Sequence, residues 1–305
     1  MKYPVKISVL MPCFNAESII MDSISSTLNQ TMEDLELIII DDASTDNTLE
    51  AIHAIKDSRI KIITLKKNIG NYAARNIGLS MARGKYICML DADDISMKNR
   101  LQVQYEFLER HKSVGCIGCN YNIISEEGNL LFNMRRECNF SEFKIKLLED
   151  NYMLQSTIAV RNSLLKKYNI SYNEDFKYAA DYHFVFQCSK FFKIYNIQDT
   201  LVDYRVSPKG ITQTKFLEQQ NYAAKIRLEI FAYYFEEILS SENYLILDSL
   251  FNKHSEYRET KILEIEQVVN KILEYNYQFK KLNQKKLYDM FNEFAIRLIV
   301  RNKNM

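Results

Sequence analysis

Tryptophan is absent from this chain, and proline and glycine are scarce, at 3 and 7 of 305 residues. So few loop-forming residues argue against a disordered or loop-rich protein. Long hydrophobic runs are missing as well; none approaches the roughly 18 residues of a membrane span. The first residues run straight into a strand pattern, with nothing resembling a leader segment. No charge of one sign prevails: 40 Lys and Arg face 39 Asp and Glu, for a net charge of +1. That balance gives no electrostatic case for nucleic acid, which is not expected as a partner. The six cysteines, at 13, 88, 116, 119, 138 and 188, show no metal spacing. Cys116 and Cys119 form a C-x-x-C, but inside the apolar stretch Val114–Asn120, and no second pair completes a zinc site. Buried thiols in a reducing, cytoplasmic setting fit better.

What is present is an ordinary globular balance, 47% apolar and 26% charged, enough to bury a core without disulfides. The first part alternates. Lys6–Met11 is a short apolar strand. Ser18–Gln30 carries Ile20, Ile24 and Leu28 on one helical face. Leu35–Ile40 reads as a continuous apolar run, as in a parallel strand covered on both faces. Asp46–Lys56 has helical spacing, with Ser44 or Thr45 as N-cap. Ile60–Leu65 is a strand, and Tyr72–Ala82 a small-residue helix with Gly84 as its C-cap. Tyr86–Leu90 is a strand. This order predicts an α/β fold with a doubly wound, mainly parallel sheet, whose ligands sit at the carboxyl ends of the strands. Beyond Asn120, Ser125–Asn129 reads as a hairpin turn, Gln155–Val160 as a strand, Asp181–Phe192 as a helix and Leu201–Val206 as a strand. From about Lys215 the pattern is helical, with stripes at Ile262, Ile265, Val269 and Ile272 and at Leu287, Met290, Phe291, Phe294 and Leu298.

Three polar clusters fall at strand ends: Pro12-Cys-Phe-Asn-Ala-Glu17, Asp41-Asp-Ala-Ser-Thr-Asp46 and Asp91-Ala-Asp-Asp94. Any one could be a turn or a helix cap. Three acidic loops converging on one sheet edge repel unless a cation lies among them. Magnesium and manganese want hard oxygen ligands and are satisfied by one or two carboxylates plus substrate phosphates. A D-x-D after the apolar strand Tyr86–Leu90 suits that chemistry.

These segments, taken in order, resemble family 2 glycosyltransferases of the GT-A fold. The resemblance lies in Ile7-Ser-Val-Leu-Met-Pro-Cys-Phe-Asn-Ala16, Asn29-Gln-Thr31 and Glu36-Leu-Ile-Ile-Ile-Asp-Asp-Ala-Ser-Thr-Asp46. It continues through Asn68-Ile-Gly-Asn-Tyr-Ala-Ala-Arg-Asn-Ile-Gly78, Ala82-Arg-Gly-Lys-Tyr-Ile87 and the Asp91 cluster, and more loosely to about residue 212. It implies a catalytic GT-A domain over 1–214, with a nucleotide-sugar-binding half (1–110) and an acceptor half (111–214), and a helical region over 215–305.

The resemblance also implies roles. Pro12, Phe14, Asn15 and Glu17 border the nucleotide, with Phe14 where the family often stacks a Tyr on the base. Asp42 reads the base and Arg75 reaches the donor. Asp91 faces the ribose, Ala92 beside it belongs to the donor-binding set, and Asp93 holds a divalent metal, Mn2+ or Mg2+. Asp181, in Tyr178-Ala-Ala-Asp-Tyr-His-Phe184, stands where the family has its general base, with Ala180 replacing an acidic neighbour; a helix N-cap is its other reading. Ser207 lies where the family commonly has a metal-touching His, and Arg205 and Lys209 could neutralise phosphate instead. The implied activity is metal-dependent, inverting transfer from a nucleotide-sugar donor, UDP-linked, to a glycan or glycolipid acceptor in bacterial surface-polysaccharide assembly. Acceptor contacts are expected around Gln155–Thr157. A nucleotidyltransferase or a dinucleotide-binding oxidoreductase should carry a Gly-rich phosphate loop after the first strand, which Pro12–Glu17 lacks. A binding-only scaffold is countered by Asp91, Asp93 and Asp181. The C-terminal helices, with Lys280, Lys281, Lys285, Lys286, Arg297, Arg301 and Lys303, suit a core-covering subdomain, homodimer contact or the inner membrane surface.

Overall fold

The computed structural model describes residues 3–136, 140–208, 210–251 and 262–303, the side chains at 140–141, 262 and 297–303 excepted. Cys138, Lys209 and the side chains of Ile262, Arg297, Leu298, Arg301 and Lys303 therefore lie outside the described residues. The chain divides into two compact units, Met1–Cys138 with Met153–Thr214, and Asn139–Tyr152 with Lys215–Met305.

The first unit begins with the expected alternation: β1 (Val5–Cys13), α1 (Ile20–Leu28), β2 (Leu35–Asp41), α2 (Thr48–Ala54), β3 (Ile60–Thr64), α3 (Asn71–Met81) and β4 (Gly84–Met89). These strands are parallel in the order β3-β2-β1-β4. Every residue of β2 is buried, as a strand covered on both faces requires. The run is not wholly apolar, because Glu36 is buried within it. Burial alone would raise its carboxyl, but Lys61 at 2.7 Å, Ser8 at 2.6 Å and Arg83 at 2.9 Å hold it down at about 2. A buried charge survives only when paired in this way.

Then come β5 (Ile95–Ser96), α4 (Arg100–Arg110), β6 (Val114–Ile124) and β7 (Leu130–Met134). In the second unit α5 (Phe140–Glu149) comes next, and in the first a 3-10 turn (Gln155–Thr157), β8 (Ala159–Arg161), α6 (Asn162–Tyr168), α7 (Ala180–Phe191), β9 (Lys193–Arg205) and α8 (Ile211–Thr214). The sheet runs β3-β2-β1-β4-β8-β6-β9-β5, with β7 on β6. Its second half is mixed, since β8 lies antiparallel to both β4 and β6 while β6 and β9 are parallel.

Four local expectations change. Gln155–Val160 is not one strand; its first three residues form the 3-10 turn and only Ala159–Arg161 pairs. Gly84 does not cap α3, whose C-cap is Ala82. It opens β4, and its N–H donates to Ser8 Oγ at 2.8 Å. The N-cap of α2 is Asn47, not Ser44 or Thr45, and Asp46 Oδ1 accepts from Thr48 N–H at 3.0 Å. Leu201–Val206 is the end of the longer β9.

The cysteines at 13, 88, 116, 119 and 188 are buried free thiols. In the second unit, α9 (Phe216–Phe235), α10 (Ser241–Phe251), α11 (Ile262–Phe279) and α12 (Gln284–Lys303) bury Ile265, Val268, Ile272, Leu287, Met290 and Phe291. Residue 268 rather than 269 completes the inward stripe. Among the described residues, no helix is long and apolar enough to cross a membrane.

Candidate active site

The D-A-D turn follows the end of β4, and it is pinned on several sides. Asp91 N–H donates to Ser156 Oγ at 3.0 Å, and Ser23 Oγ donates to the Ala92 carbonyl at 2.7 Å. Arg205, at the end of β9, donates from its backbone N–H to Asp94 Oδ1 at 2.9 Å and from Nε to the Asp93 carbonyl at 3.0 Å. Its remaining guanidinium nitrogens donate to the Glu126 carbonyl and, at 3.2 Å, to Asp22 Oδ2. Arg205 is therefore not the phosphate-neutralising group the sequence suggested. It is a buried clamp on the acidic turn.

Carboxylate oxygens of Asp91, Asp93 and Asp94 lie within 4.8 Å of one another. The crowding carries an electrostatic penalty. Removal from water and the charge of Asp91 push Asp93 up to about 6. Asp94 is raised further by its complete burial and by both neighbours, an effect Ser156 eases only in part. Asp94 Oδ2 has no hydrogen-bond partner among the described residues. Hard oxygens held together against repulsion, one of them orphaned, fit a divalent cation as the missing partner. Asp91 is paired to Arg75, and Asp94 is turned inward onto the Arg205 backbone.

From Asp91 a chain of contacts leads across the site. Arg75, buried on α3, donates through Nη2 to Asp91 Oδ1. Burial is the largest influence and opposes its charge, but Asp91, Tyr172, Tyr72 and Asp181 together hold the guanidinium above the ordinary arginine range. Gln155, turned with its carboxamide oxygen toward Arg75, accepts from Nη1 and Nε at 3.3 Å and from the Tyr172 hydroxyl at 2.7 Å. The Tyr172 ring stacks on Tyr72 with centroids 5.5 Å apart, and on its other side on Phe184 at 4.5 Å. Tyr72, in the first turn of α3, donates from its hydroxyl to Asp181 Oδ1 at 3.1 Å. Asp181 is the second residue of α7, whose N-cap is Ala179, so it is not the cap. Burial pushes its carboxyl up to about 6, against the pull of the Tyr182 amide, Tyr72 and Arg75.

The loops after β1 and β2 form the other side. Pro12 is buried in register with Ile40, while the Phe14 ring is 47% exposed. Asn15 has φ 49° and Ala43 has φ 61°, both left-handed. Asn15 Oδ1 accepts from Thr45 N–H at 2.8 Å, and Glu17 Oε2 from Asn47 N–H at 2.9 Å, so these side chains join the two loops. The buried Asp42 accepts through Oδ1 from Ile69 N–H and through Oδ2 from Gly70 N–H, both at 2.8 Å. It thereby holds the loop that starts α3, and each oxygen keeps a second lone pair for a ligand. Ser207 Oγ donates to Glu126 Oε1.

The structure thus brings Arg75, Asp91, Ala92, Asp93 and Asp181 into one connected set, and Phe14, Asn15, Glu17 and Asp42 into a neighbouring pair of loops. Tyr72, Tyr172 and the clamping role of Arg205 carry no signal in the sequence that marks them as part of the site. Tyr72 lies inside the Asn68–Gly78 motif, but its partner is 109 residues away.

Comparison with known proteins gives the family and the fold. The family model described as glycosyl transferase family 2 matches residues 8–169. An uncharacterised glycosyltransferase of Haemophilus influenzae is 33% identical over 251 residues, 76% of this chain and 75% of that protein. The Escherichia coli UDP-Glc:alpha-D-GlcNAc-diphosphoundecaprenol beta-1,3-glucosyltransferase WfgD is 32% identical over 70% of this chain and 81% of its own length. Among solved structures, S. aureus TarS 1–349 in complex with UDP superposes with a TM-score of 0.61 at 20% identity, covering 98% of this chain and 92% of that one. The Pyrobaculum calidifontis mannosyltransferase PcManGT with GDP-Man and Mn2+ gives 0.57 at 16% identity, covering 97% and 84%. At those identities the likeness speaks for the fold, which is GT-A.

Proposed function

Because the chain belongs to glycosyl transferase family 2 and is a glycosyltransferase, we propose that it transfers a sugar from a UDP-linked donor to a hydroxyl of a glycan or glycolipid, with inversion and with a divalent metal at Asp93. The observation that carries this is the connection of the acidic turn to Asp181 through Arg75, Gln155, Tyr172 and Tyr72. It supplies a donor-side charge cluster and, across the site, one carboxylate with a raised proton affinity. The donor class draws on WfgD, whose name gives UDP-Glc, and on TarS, which is known with UDP and UDP-GlcNAc. The acceptor class draws on the diphosphoundecaprenol-linked sugar in the name of WfgD.

The work is divided among the residues. Phe14 offers a face for the base and Asp42 its spare lone pairs. Asp91, oriented by Arg75 and Ser156, accepts from the ribose. A Mn2+ or Mg2+ ion at Asp93 would act as Lewis acid toward the leaving diphosphate. Asp181 takes the proton of the acceptor hydroxyl as its oxygen bonds to the anomeric carbon from the face opposite the nucleotide. The bond from that carbon to the diphosphate breaks, and the nucleoside diphosphate leaves with the electron pair.

A thermal-shift titration with UDP-sugars, with and without Mn2+, tests the donor and the metal together, since a ligand of the native state raises Tm. Wild type should show a manganese-dependent rise that Asp93→Ala loses while its own Tm without ligand stays close to wild type. Equal manganese-dependent binding by the variant would remove Asp93 from the metal site.

A further inference from the structure

We infer that Tyr72 is a positioning residue for Asp181, holding the base in line and keeping it ionised, so that the loop held by Asp42 also sets the acceptor side. This rests on the assignment of Asp181 as base. The geometry is specific. The Tyr72 hydroxyl donates to Asp181 Oδ1 at 3.1 Å, and a hydrogen bond to the charged form of a carboxylate favours that form. The ring cannot swing away easily, because it is stacked on Tyr172, which is itself stacked on Phe184 of α7, the helix that carries Asp181. Fixing Oδ1 fixes the carboxylate plane, and with it the direction in which the other oxygen meets an acceptor hydroxyl. Tyr72 is also two residues beyond Gly70, whose N–H is held by Asp42. The base-reading carboxylate and the catalytic carboxylate are therefore joined through one short loop and one side chain.

Among the described residues, the charged and titratable groups that act on Asp181 include Tyr72 and Arg75 from α3, Tyr172, and Asp91 from the acidic turn, with the Tyr182 amide on its own helix. Removing the Tyr72 hydroxyl leaves Arg75, Asp91 and the amide in place, so the loss is confined to one hydrogen bond. A bond from a neutral donor to a charged acceptor corresponds to about one pH unit.

The experiment compares wild type, Tyr72→Phe, Tyr72→Ala, Asp181→Asn and the Tyr72→Phe/Asp181→Asn double variant, all as full chains. Steady-state kinetics over pH are paired with UDP binding and Tm. Tyr72→Phe keeps the stack and should keep UDP affinity and Tm. Its kcat should fall about tenfold, and the acid limb of its kcat profile should move up by about one unit. Added to Asp181→Asn, it should cost no more than a further twofold, because its target is already gone. Three results would overturn the inference: Tyr72→Phe matching wild type in kcat and acid limb while Tyr72→Ala loses Tm, which makes Tyr72 a packing residue; full additivity in the double variant, which places its effect elsewhere; or equal loss of UDP affinity. If Asp181→Asn itself stays active, the base assignment fails and takes this inference with it; if only Tyr72→Phe is silent, the base assignment stands.

Discussion

At the scale of the residue, two carboxylates near 6 sit in one site for different reasons. Asp93 is raised by burial and a like charge two residues away, whereas Asp181 is raised by burial while a tyrosine, an amide and an arginine pull it down. In the proposed mechanism Asp93 holds a cation and Asp181 takes a proton. For a base, only the ionised form works, and its fraction falls tenfold per unit below its pKa. We expect kcat to be level above about pH 6 and to drop with unit slope below it. Asp181→Asn should lose about a hundred- to ten-thousand-fold in kcat, with the donor affinity and Tm close to wild type, because an asparagine oxygen still accepts from Tyr72. Rate measurements from pH 5 to 8 with product configuration by NMR check this; an unchanged rate or a retained configuration sinks the mechanism. Single-residue chemistry was the legible part of the site. Asp91, Asp93, Arg75 and Asp181 lie in short local motifs, and motifs survive in one dimension. The clamp by Arg205 and the bond from Tyr72 do not, because each joins segments about a hundred residues apart.

At the scale of the element, β1 to β4 were readable because each is a compact apolar run and the runs alternate with helical segments, as parallel crossovers require. The second half was harder. The three-residue β8 is too short to show a period, and the polar Gln155, Ser156 and Thr157 before it are all buried. Their side chains have polar work to do: Gln155 serves Arg75, Ser156 serves Asp91, and Thr157 Oγ1 donates to the Leu154 carbonyl at 2.7 Å within the turn. Two backbone positions make predictions of opposite sign. A Cβ at Gly84 would be driven into the backbone of Ser8 in the adjacent strand, so Gly84→Ala should cost about 1–3 kcal/mol, as overpacking does. Ala43, at φ 61° in the loop beside Asp42, carries the left-handed penalty of an L residue, about 1–2 kcal/mol. Ala43→Gly recovers part of that and loses part to unfolded-state entropy, for a net gain of roughly 0.5 kcal/mol. Urea unfolding monitored by tyrosine fluorescence would show both; a stabilising Gly84→Ala or a destabilising Ala43→Gly would contradict this reading of the backbone.

At the scale of the whole molecule, the helical unit is more than the stretch beyond residue 214. The segment Asn139–Tyr152, expected from the sequence in the acceptor half, belongs to it. Sequence periodicity showed the C-terminal stripes but not this partner, since a ten-residue helix between two strands carries no sign of where it packs. In the structure α5 buries Phe143, Ile145, Leu147 and Leu148 and packs on α9 and α12. Arg227 of α9 donates to the Glu149 carbonyl at 3.4 Å, and Lys286 of α12 pairs with Glu142 at 2.9 Å. A lysine noted for its place in a basic run is thus spent inside the unit. The consequence is a prediction about truncation. Cutting the chain after Thr214 removes α9 and α12 but leaves α5 attached, with four large apolar side chains bared on one short helix. Such a patch favours association. The truncated protein should therefore elute as aggregate or high oligomer in size-exclusion chromatography. A second truncation that also replaces Asn139–Tyr152 with a short Gly-Ser linker removes the bared helix, and it should recover a monodisperse species that binds UDP with manganese. If the simple truncation is monodisperse and the linker version is no better, α5 does not need its helical partners, and the division of the chain into these two units misstates how its core is built.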